Sequence, residues 1–138
     1  MGGIVMRNIP ILVIIVVIYN ILVFFIEGSL NVVLWNVTLI SGAKWAFSVS
    51  DFLLSLSLIF LFLEIAKSTR TSRASVIDHI LSLLLFIICL VEFIVVPQVG
   101  NSVFLLITLM CLLDVVAGFT ITISTARRDI GLGGSNIL

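Results

Sequence analysis

The stretch SVFLLITLMCLLDVVAGFTITIST, residues 102–125, carries a single charged side chain, Asp114, and its reading decides the fold. About 20 helical residues cross the roughly 30 Å hydrocarbon core of a bilayer, and this stretch is long enough. In lipid a backbone must satisfy its own hydrogen bonds, so the stretch reads as a transmembrane helix. A membrane barrel would alternate apolar and polar residues in strands of about 10, and this run does not alternate. Three further runs qualify on either side of the same logic, at about 9–26, 46–66 and 76–96.

The composition agrees. Hydrophobic residues make up 62% of the 138-residue chain and charged ones 10%. Its mean hydropathy is +1.41. A soluble domain has roughly 45–50% apolar and about 25% charged residues, so too little polar surface is present here to cover a globule. The expected fold is all-α, an antiparallel four-helix bundle of integral membrane type forming one transmembrane domain over residues 1–138. The first run, Ile9 to Ile26, is about 18 residues without a charge, longer than a signal-peptide core of roughly 7–15 residues, and reads as a retained helix.

The connections differ in kind. Residues 27–45 read as an outer interfacial loop lying along the headgroups, with Trp35 and Trp45 as an aromatic belt. Residues 67–75 form a polar cytoplasmic loop. Pro97 to Asn101 form a tight turn that makes the last two helices a hairpin, with Asn101 or Ser102 as the cap of the fourth. Residues 129–138, rich in glycine, read as a mobile tail.

Orientation follows from the basic residues. Arg7, Lys67, Arg70, Arg73, Arg127 and Arg128 fall on one side of the topology and Lys44 alone on the other. In short loops this asymmetry places both termini and the 67–75 connection in the cytoplasm. The same group, Lys67, Arg70, Arg73, Arg127 and Arg128, would meet anionic lipid at the surface.

Carboxyls inside hydrocarbon are costly and therefore informative. Glu27 and Asp51 lie near the outer boundary, and Glu64 and Asp78 near the inner one. Glu64 and Lys67, three residues apart, suggest a surface ion pair. Asp114 is different. It lies about 16–18 Å from either end of its run at ~1.5 Å per residue, with no Lys or Arg at that depth. It must be protonated, bonded to neutral groups, or turned to water or another subunit. Asn20 of the first run and Ser55 and Ser57 of the second lie at a similar depth, so Asn20, Ser55, Ser57 and Asp114 are candidates for one intramembrane polar layer, acting as interhelical glue or as an ion or proton path. In the third run Asp78, Ser82, Cys89 and Glu92 fall within about 80° of one another on a helical projection. Cys111, Asp114, Gly118, Thr122 and Thr125 share a face of the fourth, where Ala117 and Gly118 would let a neighbouring backbone approach. Cys89 and Cys111 then come to similar depth, as packing residues or as a disulfide.

No metal-ligand spacing, Cys-x-x-Cys, nucleophile elbow, P-loop or dinucleotide fingerprint is present, so no cofactor or metal is expected. His79 is the only histidine, and it reads as an interfacial hydrogen-bonding group beside Asp78. The net charge of zero implies no nucleic-acid partner.

The segments Glu64-Ile65-Ala66-Lys67-Ser68-Thr69-Arg70-Thr71, Ile77-Asp78-His79, Asp114-Val115-Val116-Ala117-Gly118-Phe119 and Ala126-Arg127-Arg128-Asp129 resemble those of small, uncharacterised four-helix bacterial inner-membrane proteins. The resemblance covers the second to fourth helices and implies a multi-pass protein of a bacterial inner membrane, with no activity or ligand attached.

The leading expectation is a non-catalytic membrane protein whose partners are lipids and other transmembrane helices, in a complex with foreign subunits or as a homo-oligomer. The alternative is a small oligomeric ion or proton channel or carrier using Asp114 and Glu92. The two are separated by oligomeric state and neighbours in a gently solubilised preparation.

Overall fold

A computed structural model of the chain describes residues 9–69 and 75–133. Arg7, Arg70, Arg73 and the end of the glycine-rich tail, residues 134–138, lie outside the described residues. Four α-helices are present among them: α1 (Leu12–Phe25), α2 (Val49–Ser68), α3 (Ser75–Val95) and α4 (Ser102–Gly133). They pack as a bundle in which α4 contacts each of the other three.

Three of the helices, α2, α3 and α4, are long and apolar enough to cross a membrane. The first is shorter than its apolar run. Its 14 residues reach only about 21 Å at ~1.5 Å per residue. Pro10 precedes it, and the chain turns at its far end where Gly28 takes a left-handed φ of +74°. The fourth is longer than its run. It continues through Arg127 and Arg128 to Gly133, into the segment read as a tail, because Ala126, Arg127 and Arg128 are good helix formers with no proline to stop them.

Residues 27–45 do not form a plain loop. A 3₁₀ turn at Ser29–Asn31 leads into a β-hairpin of β1 (Val33–Thr38) and β2 (Lys44–Ser48). The strands pair antiparallel, Trp35 opposite Phe47 and Val37 opposite Trp45. β-Branched and aromatic residues favour such strands. The reversal is made by Gly42, whose φ of +83° suits glycine, with its N–H donating to the Leu39 carbonyl at 2.9 Å. Trp35 and Phe47 stack with ring centroids 4.6 Å apart, and Trp45 meets Phe47 edge-on. At the base, the Val49 N–H donates to Val32 O at 2.9 Å, tying the hairpin to the start of α2.

Helix starts are set by side chains. Ser48 and Asp51 form a reciprocal capping box at α2. Asn101 Oδ1 accepts the Phe104 N–H at 3.1 Å and so caps α4.

Each helix buries one narrow stripe, and in α2, α3 and α4 that stripe includes polar groups. In α2 it is Leu53, Ser57, Leu61 and Glu64. In α3 it includes Asp78, Ser82, Leu85 and Cys89, and in α4 Phe104, Ile107, Thr108, Cys111, Asp114 and Val115. The outward faces are aliphatic and aromatic, as at Phe62, Ile88, Ile94 and Leu113. A soluble bundle is built the other way round, with apolar seams and charged outer faces.

Candidate functional site

The buried polar groups gather in two places. The first lies toward the end of the bundle opposite the hairpin, where α2 ends and α3 begins. Glu64, 3% exposed, accepts the backbone N–H of Ile11 on Oε2 at 2.8 Å. Its Oε1 accepts from Lys67 Nζ at 3.2 Å. The i, i+3 pair thus forms, but its carboxylate is buried rather than on the surface, because α1 begins directly against it. Lys67 Nζ also stands 3.8 Å from Asp78 Oδ2, in the first turn of α3.

Asp114 belongs to the same group. The Ser82 hydroxyl of α3 lies beside its carboxyl as a donor, and Glu64, Lys67 and Asp78 act on it electrostatically. Counting residues along single helices placed no cation at its depth. The structure brings Lys67 within range, because a long lysine stem carries its charge well away from its own backbone.

The second place is nearer the hairpin. Asn20 Nδ2 donates to Glu92 Oε2 at 3.3 Å and to the Val16 carbonyl at 3.1 Å. Asn101 Nδ2 donates to the Tyr19 hydroxyl at 2.6 Å, and the Tyr19 and Phe104 rings meet at 4.9 Å.

The single layer of Asn20, Ser55, Ser57 and Asp114 is therefore divided. Asn20 goes to Glu92 on α3. Ser57 donates to its own helix at Leu53 O, 2.6 Å, and Ser55 to Asp51 O, 2.7 Å, on an exposed face. The α3 stripe is divided as well, with Asp78, Ser82 and Cys89 buried against the bundle and Glu92 turned to α1. Cys89 and Cys111 are buried free thiols facing one another across α3 and α4.

His79 is buried between α3 and α4. Its Nε2 is 2.7 Å from Thr122 Oγ1 on α4, and its ring tilts against Phe119. Gly118 leaves room for the imidazole rather than for a neighbouring backbone. Among the contacts that escaped the sequence reading are the His79–Gly118 fit and the capture of Ile11 by Glu64. The first had a signal, since Gly118 and Thr122 lie one turn apart on the face opposed to α3; the second had none.

Arg127 and Arg128 are exposed near the end of α4. Among the described residues no three His, Cys, Asp or Glu side chains converge in the manner a metal ion requires. Compared with known proteins, the chain matches no family model, no curated protein and no solved structure.

Proposed function

We propose that this protein is a non-catalytic, multi-pass component of a bacterial inner membrane, with both termini cytoplasmic, that packs its apolar surface against lipid and partner helices. The observation that carries this reading is the distribution of polarity. The polar side chains lie in the buried stripes as ties between helices: Glu64 to the start of α1, Asn20 to Glu92, Ser82 to Asp114, His79 to Thr122. The outer hairpin is its contact with a partner. Among the described residues β1 and β2 form a two-stranded sheet, and an isolated hairpin of this kind is marginally stable in water. Its Leu34, Trp35, Ile40 and Trp45 are exposed, and an exposed apolar edge calls for cover.

The channel reading is less well supported. Ser82, which faces Asp114, lies ten positions from Glu92 on α3, about 15 Å at ~1.5 Å per residue. Leu85 and Cys89 fill the buried face between them, so the two carboxyls do not share a continuous polar path within one chain.

A photoactivatable residue at Ile40 tests the proposal in native membranes, with a second at Ile88 on the aliphatic face of α3. The first should give a discrete adduct with another polypeptide, foreign or a second copy, and the second should give lipid adducts. Adducts with lipid alone at both positions would remove the partner from the proposal.

A further inference from the structure

The polarity of LWNVTLI, residues 34–40, reads the same from either end. Apolar pairs close both flanks, Asn36 and Thr38 stand inside them, and Val37 is the centre. The stretch takes in most of β1 and the start of the reversal. No charged residue lies between Glu27 and Lys44.

β1 is open on one side, since among the described residues its sheet has β2 as the only other strand. The Leu39 N–H donates to the Ala43 carbonyl at 2.9 Å, which makes Leu39 and Ala43 a hydrogen-bonded pair. In an antiparallel ladder such pairs alternate with unbonded ones. The register then makes Val37–Trp45 and Trp35–Phe47 bonded pairs, and Asn36–Ala46 and Thr38–Lys44 unbonded ones. The backbone N–H and C=O groups of Asn36 and Thr38 therefore point away from β2, to the free edge. Natural sheets guard such an edge with charge or proline. β2 carries Lys44, but Val33–Thr38 carries neither guard, and every residue of that strand is exposed.

We propose that β1 pairs antiparallel with β1 of a second copy of this chain, about a two-fold axis at Val37. This rests on the reading of the hairpin as a partner contact and names the partner. At that register Asn36 exchanges both backbone hydrogen bonds with Thr38 of the second copy, and the reverse. The side chains match across the axis as well: Val37 meets Val37, Asn36 meets Thr38, Trp35 meets Leu39 and Leu34 meets Ile40. Moving the axis to Asn36 would set Leu34 against Thr38, and moving it to Thr38 would set Asn36 against Ile40. A two-fold contact uses the same patch on both copies, so a palindromic strand suits it. Side chains alternate across a sheet, so Trp35, Val37 and Leu39 of both copies extend the aromatic face that Trp45 and Phe47 already form.

Cysteine cross-linking of the full chain in lipid bilayers, with a mild copper oxidant, tests this. Native Cys89 and Cys111 are buried and give little background. Val37 and its symmetry mate form an unbonded pair, which brings Cα atoms to about 4.5 Å, within disulfide reach. Val37→Cys should join at least half of the chains as dimers, and Lys44→Cys on the far edge should give severalfold less. Gently solubilised wild-type chain should have the mass of two copies. Thr38→Pro removes an outward N–H and spares the bonds to β2, and should return the mass to one copy with the helical signal unchanged. A monomeric wild type, or equal cross-linking of the Val37 and Lys44 variants, would overturn the proposal. A foreign polypeptide captured at Ile40 with no dimer at Val37 would remove the second copy and leave the hairpin as a partner contact. Lipid adducts alone at Ile40 with no dimer would remove both. The wild-type mass needs no variant, so a substitution that fails to fold does not protect the proposal.

Discussion

The imidazole of His79 occupies the space that a side chain at Gly118 would need, with Nε2 2.7 Å from the Thr122 hydroxyl one turn farther along α4. The fit depends on glycine for room, not for backbone freedom. Gly118→Val should destabilise the α3–α4 packing by about 1–3 kcal/mol, the usual cost of overfilling a packed site. Thermal loss of helical circular dichroism in detergent reads this out. His79→Ala should make Gly118→Ala harmless, and the double variant should lose less than the two single losses added together.

Glu64 holds the entry of α1 as well as Lys67. Glu64→Leu leaves the part-buried Ile11 N–H without its acceptor and Lys67 with Asp78 alone, and stranding such a donor costs about 1–3 kcal/mol. Glu64→Gln retains an oxygen for Ile11 and should lose markedly less. Hydrogen exchange at the first turn of α1 should accelerate in the Leu variant while the α3–α4 pair stays protected. Equal exchange in both variants would count against the contact with Ile11.

For Asp114 the relevant partner is Ser82. Asp114→Asn keeps a donor and an acceptor at the site and should leave the bundle folded. Asp114→Leu strands the serine hydroxyl and should cost about 1–3 kcal/mol. Ser82→Ala combined with Asp114→Leu should recover part of that loss, a recovery measurable by the same thermal unfolding.

The hairpin reports on itself through Trp35 and Trp45, the two tryptophans of the chain. Trp35→Ala removes the stack on Phe47, worth about 0.5–1.5 kcal/mol beyond burial, and should loosen the hairpin without touching the helices. Gly42→Val forces a β-branched residue to a φ of +83° and should act in the same direction. Trp45 fluorescence anisotropy should fall in both variants, with far-ultraviolet helical signal unchanged. Loss of helix content would show that the hairpin and α2 fold as one unit.

The helical class and the three long apolar helices were legible in the sequence because lipid leaves a spanning backbone few choices, and uninterrupted apolar length is a local property. The cap at Asn101 was legible for the same reason, being a bond between near neighbours. The hairpin was legible in principle. Its Val, Trp and Thr content and the Ser41-Gly42 reversal are strand and turn signals, and they were masked by the apolar character that also suits an interfacial loop. The Ser48–Asp51 capping box was readable too, as a spacing of three residues ahead of an apolar run.

What the sequence by itself determined is which stretches form long apolar helices and that polar groups sit among them. Which polar groups meet was decided only by the tertiary structure. Depth counted along one helix put Asn20 level with Asp114, yet the rotation and offset of α1 turn Asn20 to Glu92 instead. Lys67 reaches Asp78 and acts on Asp114 because its side chain leaves the level of its own Cα. Periodicity gives the face a residue occupies on its own helix, but helix rotation, axial offset and side-chain reach arise from packing between segments distant in sequence.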